Sequence, residues 1–258
     1  MMIDPADRGF TLGHGLFETI LWDERRLDRW DAHLDRMTRG SAVLGLPAPD
    51  RLACRDAAEA ALTAAGSPHR AAVRLNWSAG VGGRGLDLPA TPHPVLSATA
   101  AAIGPPEGPA RLVTSTVRRN DRSPASRLKT LAYLDNVLAR AEARAAGGDE
   151  ALMLNTEGEV ACAAAANIFW IRDRAVFTPA LACGVLDGIL RAEVLAACVR
   201  LGVPAQEVRA KPAQLLGSPL FLTNSLVGVR PVVALDDASV ETSPLVATIA
   251  HAVNPTRR

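Results

Sequence analysis

From residue 30 to 44 the apolar and small positions recur at helical spacing. Trp30, Leu34, Met37, Ser41 and Leu44 share one face, with His33, Asp35 and Arg36 near its margins, and this predicts an amphipathic helix. A second helix is predicted from about 50 to 65, ended by Gly66. The period then changes. Val73, Leu75 and Trp77 alternate as in a half-buried strand, the run Gly80-Val81-Gly82-Gly83-Arg84-Gly85 turns the chain, and 95–101 reads as the return strand.

In Gly104-Pro105-Pro106-Glu107-Gly108-Pro109 five of six residues are glycine or proline, and the stretch follows a strand, so it is the expected linker. The reading is α+β throughout: a small N-terminal domain at 1–104, a linker at 105–109 and a larger C-terminal domain at 110–258. The second part is predicted to hold a strand at 111–117, a polar loop with Lys129, a helix at 131–146 stopped by Gly147-Gly148, and short strands within 151–178. A helix at 188–201 follows, with Leu190, Val194, Ala197, Cys198 and Leu201 on one face and Gly202 as its stop, then strands at 220–223 and 229–235.

The 258 residues are 48% hydrophobic and 21% charged, enough apolar content for one substantial core or two modest ones. Basic and acidic residues number 28 and 27 and are interspersed, which argues against nucleic acid as a partner. No apolar run approaches the roughly 18 residues of a membrane span, and the first residues lack the regions of a signal peptide, so no membrane is expected and a cytoplasmic location is. Cys54, Cys162, Cys183 and Cys198 show neither C-x-x-C spacing nor clustered histidines, so no metal site is expected. One compositional fact is sharper: only Lys129 and Lys211 among the 28 basic residues are lysines. Where arginine carries nearly all positive charge, lysine is expected where its chemistry is needed, and only lysine forms an imine with an aldehyde.

Lys129 lies in Arg127-Leu128-Lys129-Thr130-Leu131, between a strand and a helix, where partial desolvation favours the free amine that an imine-forming lysine requires; the alternative is a solvated lysine at a helix start. Lys211, followed by Pro212 in a polar turn, reads as solvated. Gly188 opens a helix, so the N–H groups of Ile189 and Leu190 form a candidate phosphate cradle, and Thr223-Asn224-Ser225 at a strand end forms a second; either is also an ordinary element terminus. Arg36 is placed to pair a phosphate or to line a solvated helix face.

Taken in order, Asp7-Arg8-Gly9-Phe10, Gly13-His14-Gly15-Leu16-Phe17-Glu18-Thr19, His33-Leu34-Asp35-Arg36, Gly83-Arg84-Gly85, Lys129-Thr130-Leu131, Asn167-Ile168-Phe169, Gly188-Ile189-Leu190-Arg191 and Thr223-Asn224-Ser225 resemble the fold-type IV pyridoxal-phosphate enzymes, the class IV aminotransferase family. That family includes branched-chain and D-amino-acid aminotransferases and 4-amino-4-deoxychorismate lyase. The Gly-Gly-Arg-Gly stretch, the Ala-Ala-Asn-Ile-Phe-Trp run and Thr-Asn-Ser-Leu look most like the lyase branch.

The resemblance implies a two-domain α+β fold like that of D-amino-acid aminotransferase, with pyridoxal 5'-phosphate between the domains and a homodimer completing the site. It implies Lys129 as catalytic imine-forming base and Arg36, Lys129, Cys162, Gly188, Ile189, Leu190, Asn224 and Ser225 as cofactor-binding residues. Arg84 and Asn224 become candidates for the carboxylates of a small amino substrate. The implied activity is a lyase of folate biosynthesis that yields 4-aminobenzoate and pyruvate; the alternatives are an aminotransferase of branched-chain or D-amino acids, or a cofactor-binding protein that has lost catalysis.

Three departures stand out. The chain opens almost directly on the Asp-Arg-Gly-Phe motif where a strand pair is usual, His14 replaces a usual aspartate, and Cys162 stands where the family normally pairs a glutamate with the pyridine nitrogen. A carboxylate there makes the ring a strong electron sink, whereas a thiol is a weak donor, so the site is expected to favour elimination over transamination. The competing reading is that Glu159 supplies the carboxylate, although three residues along a strand it should face the other way.

Overall fold

The computed structural model describes residues 3–105 and 108–253. The chain divides into two compact units, Met1–Pro105 with Leu128–Tyr133, and Pro106–Arg127 with Leu134–Arg258. Of the expected linker, Pro106 and Glu107 lie outside the described residues. Sequence reading puts Lys129 in the C-terminal domain, whereas the segment that carries it groups with the first unit. The backbone gives the reason. Phe17 N donates to Lys129 O (2.9 Å) and Leu131 N to Gly15 O (3.0 Å), so the segment is hydrogen-bonded to a strand of that unit.

In the first unit a short helix α1 (Arg8–Leu12) precedes β1 (Gly15–Trp22), α2 (Trp30–Val43), α3 (Arg51–Ala64), β2 (Ala71–Ser78) and β3 (Val95–Ala102). Both α1 and β1 escape the sequence reading. The Asp7 carboxylate caps α1 through Gly9 N (2.6 Å) and also accepts from Ser78 Oγ (2.7 Å). The strands form an antiparallel sheet in the order β1-β2-β3. Alternation divides its faces. Leu16, Ile20, Val73 and Leu75 pack with Leu34 and Met37 of α2 and Cys54, Ala58 and Leu62 of α3. Phe17, Thr19, Arg74, Asn76, Ser97 and Thr99 share the opposite face, since Phe17 pairs with Asn76, which pairs with Ser97, and Thr19 pairs with Arg74, which pairs with Thr99. Gly15 is a close approach: a Cβ there would stand 2.6 Å from Trp77 O.

The second unit holds β4 (Ala110–Arg119), α4 (Leu134–Ala145), β5 (Glu150–Asn155), β6 (Val160–Ala163), β7 (Asn167–Arg172), β8 (Ala175–Pro179), α5 (Ile189–Arg200), β9 (Ala205–Val208), β10 (Leu220–Asn224), β11 (Gly228–Leu235), β12 (Ala238–Ser239) and α6 (Pro244–Val253). Helix α4 starts three residues later than predicted because 131–133 belong to the first unit. The mixed sheet runs β6-β5-β4-β11-β10-β7-β8-β9, with β12 on β11. Three cores hold it. Leu152, Leu154, Val160, Ile168, Trp170, Leu220 and Leu222 meet with no α-helix among them, as a curled sheet allows. On other surfaces α4 lays Ala139 and Ala143 against Ala151, Met153 and Cys162, while α5 and α6 cover Phe169 and Phe221, whose rings stack at 4.9 Å. The fold class is α+β, and among the described residues no helix is long and apolar enough to cross a membrane.

Candidate functional site

Of the predicted site residues, the first unit carries Arg36, Arg84 and Lys129. Lys129 extends over aromatic carbon, its Nζ 4.2 Å from the centre of the Phe17 ring and 5.2 Å from that of Tyr133. The two rings meet edge to face at 5.1 Å, which fixes the wall along which the amine lies. The Phe17 and Leu131 backbone bonds hold the segment on either side, so the lysine projects from rigid sheet edge rather than from a free loop.

Arg36 is neither solvated nor open to a bidentate grip along its Nε edge, because Glu18 takes that edge. The Glu18 carboxylate, 1% exposed, accepts from Arg36 Nε (2.8 Å) and Nη2 (2.6 Å) and from His33 Nδ1 (2.7 Å). Burial alone would push this carboxyl up; the charge of Arg36 and the hydrogen bonds from His33 and Arg36 outweigh it and hold it at about 2. His33 is pushed below its ordinary value chiefly by burial, with Arg36 and Lys129 adding to the effect and Glu18 opposing it. A neutral His33 that donates from Nδ1 leaves its Nε2 as an acceptor, and that atom is buried without a hydrogen-bond partner among the described residues.

Arg84 lies on an exposed part of the β2–β3 loop. The buried arginine of that region is Arg8, which donates to Gly85 O (3.2 Å) and Leu86 O (2.8 Å) and contacts His14 Nδ1 (3.4 Å). His14 in turn reaches Leu44 O (3.1 Å). The Asp-Arg-Gly motif therefore pins the loop. Sequence reading missed Arg74, which lies over Phe17 with its guanidinium carbon 3.7 Å from the ring centre. The available signal was its place between Val73 and Leu75, which sends it to the face opposite the core.

The second unit carries Cys162, Gly188, Ile189, Leu190, Asn224 and Ser225. Gly188 caps α5 without a side-chain bond, leaving the first turn of that helix uncapped. A Cβ on Gly188 would fall 1.9 Å from Asn167 Oδ1, while Asn167 Nδ2 donates to Leu186 O (3.0 Å). Asn167 faces Thr223 across β7 and β10, and Thr223 Oγ1 is buried with no partner among the described residues. An orphaned hydroxyl beside an uncapped helix start fits an anionic ligand such as a phosphate. Asn224 closes the following turn, accepting from Leu226 N and Val227 N and donating to Ala165 O (3.1 Å). Half-buried Ser225 follows within that turn.

Cys162 faces Met153 across β5 and β6 and is 5% exposed. Burial pushes its thiol up, Arg119 counters, and Glu150 pushes it further, so the group is neutral at pH 7. Glu159 is engaged elsewhere: it is bound by Arg209 (3.0 and 3.1 Å) and Asn155 (2.9 Å), and the Arg209 bond holds its pKa down. Behind Cys162, Arg119 donates to Asn136 Oδ1 (3.2 Å) and Gly184 O (3.2 Å), and Asn136 donates to Ala164 O (2.7 Å).

Comparison with known proteins adds three likenesses and a family match. The family described as amino-transferase class IV matches residues 15–235. The aminodeoxychorismate lyase of Vibrio harveyi is 30% identical over 88% of this chain and 85% of its own length, and that of Bacillus subtilis strain 168 is 27% identical over 92% and 83%. A crystal structure from Legionella pneumophila, provisionally assigned as a 4-amino-4-deoxychorismate lyase, superposes with a TM-score of 0.92 at 27% identity, covering 99% of this chain and 95% of that one.

Proposed function

The chain belongs to the class IV amino-transferase family of pyridoxal-phosphate-dependent enzymes, and from that premise we propose that it is a lyase converting 4-amino-4-deoxychorismate to 4-aminobenzoate and pyruvate. The observation that carries the choice of lyase over aminotransferase is the neutral, buried thiol of Cys162 where the family normally has a glutamate. Transamination depends on the ring to store an electron pair; elimination sends the pair into a departing group and makes the weaker demand.

The residues present are of the kinds pyridoxal phosphate needs: an aromatic-walled lysine, and an uncapped helix start with an orphaned hydroxyl. Bound there, the cofactor supplies an aldehyde for amines and a ring that acidifies the carbon next to the bound nitrogen. In this reading Lys129 holds it, the N–H groups of Ile189 and Leu190 with Arg36 and Ser225 bind its phosphate, and Gly188 and Asn224 shape the backbone around it. Cys162 would stand in for the carboxylate that the family sets at the ring nitrogen. Lys129 Nζ would serve as the base that takes the proton from the carbon bearing the substrate's amine. The neighbouring carbon–oxygen bond breaks, its electrons leave with pyruvate as the enol, and the pair from the carbon–hydrogen bond completes the aromatic ring. The enol takes a proton at carbon, so atoms and electrons balance without a second substrate.

The proposal extends to a homodimer in the cytoplasm. Leu134, Val137 and Leu138 stand exposed on one face of α4, as an interface requires, and all four cysteines are free and buried, as suits a reducing compartment. The deciding experiment supplies the substrate without any 2-oxo acid and measures pyruvate, alongside borohydride reduction and peptide mapping. Stoichiometric pyruvate and a reduced adduct on Lys129 are expected; turnover only when a 2-oxo acid is added makes the protein an aminotransferase.

A further inference from the structure

We infer that Arg191 is a positioning residue for the phosphate end of the cofactor: it clamps the first turn of α5 to the ends of β8 and β9, and so fixes where the N–H groups of Ile189 and Leu190 stand. The inference rests on the reading above, in which that turn receives the phosphate. Arg191 is the third residue of α5 and is 2% exposed. Its Nη2 donates to Pro179 O (3.0 Å) and to Glu207 Oε2 (2.5 Å). Pro179 is the last residue of β8, and Glu207 stands beside Thr178 on β9. The Pro179 contact therefore closes the segment between sheet and helix into a loop. Asn167 of β7 grips the same segment part-way along, donating to Leu186 O (3.0 Å) and leaving no room for a side chain at Gly188. Holds on either side of Gly188 fix the helix start.

Stability alone does not account for this arrangement. The guanidinium has lost nearly all of its hydration, and its Nε is buried with no partner among the described residues. The acid that pairs with it, Glu207, has a side chain 44% exposed, so water weakens the attraction. A cation in the first turn also opposes the positive end of the helix dipole. An apolar side chain of similar length would avoid all three penalties, and a buried pair replaced in that way is often neutral or more stable. What such a side chain lacks is the reach to a carbonyl and a carboxylate at once, which ties the helix to two strands. The charge itself, unfavourable to the helix alone, becomes favourable when an anion arrives at the same end. The uncapped turn, and the orphaned Thr223 hydroxyl facing Asn167 across the sheet, mark that end as an anion site.

The test loads the protein with pyridoxal 5'-phosphate or with pyridoxal, which lacks only the phosphate. Each dissociation constant is measured from the imine absorbance of the wild type and of Arg191→Met, Arg191→Lys and Glu207→Gln. Inorganic phosphate is then titrated into the pyridoxal-loaded proteins and followed by phosphorus NMR. The wild type is expected to prefer the phosphorylated form. In Arg191→Met that preference and the affinity for inorganic phosphate should each fall about 10-fold, the size of a displaced charge-assisted hydrogen bond, while pyridoxal affinity and the unfolding midpoint stay near wild type. Arg191→Lys, which keeps the charge without the fork, should fall between, and it decides the matter if Arg191→Met does not fold. Glu207→Gln loosens the clamp and leaves the cation, so it should also lower the preference; a rise there shows Arg191 acting through charge alone and overturns the positioning role. Full preference in the deciding arginine variant, or equal weakening of both cofactor forms with a lower midpoint, overturns it as well. A wild type that binds pyridoxal as tightly as the phosphorylated form overturns the phosphate reading of α5 itself, and the role of Arg191 with it.

Discussion

Replacing Glu18 by glutamine keeps the shape of the side chain and removes its charge from beneath Arg36 and His33. The carboxyl is 1% exposed and held at about 2 against an ordinary 4.5, which corresponds to about 3 kcal/mol of stability at neutral pH. The depressed pKa fixes the sign: this contribution is fully present above the ordinary carboxylate range and is lost as the pH falls through about 2. Urea unfolding of wild type and Glu18→Gln should therefore differ by about 3 kcal/mol at pH 7 and converge toward pH 2. His33, held below its ordinary value mainly by burial, adds a separate loss as the pH drops below its unfolded-state value. Cofactor affinity should fall in the same variant, because the two bonds that set the Arg36 plane are weakened. Identical midpoints at pH 7, or a stability difference that stays constant down to pH 2, would refute the role assigned to this ion pair.

Cys162→Glu should raise transamination relative to pyruvate release, measured with and without a 2-oxo acid; an unchanged ratio removes the argument built on that position. The native Cys162 thiol should resist alkylation of the folded protein at pH 7, since burial keeps it protonated, and rapid labelling would contradict this. Thr223→Val, which deletes a buried hydroxyl lacking a protein partner, should leave apoprotein stability within about 1 kcal/mol while weakening cofactor binding several-fold by fluorescence titration; a large stability loss with unchanged affinity would show the hydroxyl to be structural. Gly188→Ala drives a methyl into Asn167 Oδ1 and should lower both the unfolding midpoint and cofactor affinity.

The elements with a clean period were legible in the sequence. Helix α2 ends one residue short of its predicted limit, and Asp50, predicted as the first residue of α3, is instead its cap, bound to Ala53 N at 2.7 Å. Strand β1 was not legible because Gly-Leu-Phe-Glu-Thr-Ile-Leu-Trp is buried on both faces, and a buried glutamate breaks the alternation that marks a one-sided strand. Position 36 was legible as an arginine with an anion to meet, but its first anion is Glu18, eighteen residues away, and only tertiary structure brings that pair together. Arg74 was invisible for the opposite reason: an arginine on the polar side of a strand is ordinary until the ring it lies over is known. Asn167 and Gly188 were singled out by motif, but the 1.9 Å collision that requires glycine depends on two elements packing together.

The attachment of Leu128–Tyr133 to β1 also bears on how the protein is made and how it can be cut. During synthesis the first unit emerges from the ribosome lacking one edge, and more than twenty further residues must follow before Lys129 arrives to cover Phe17 N. A truncation ending at Pro105 would leave β1 with unpaired backbone groups along an apolar strand, a template for pairing with other chains. Attempts to produce the first unit alone should therefore join residues 128–133 to it by a short linker instead of stopping at the proline-rich stretch.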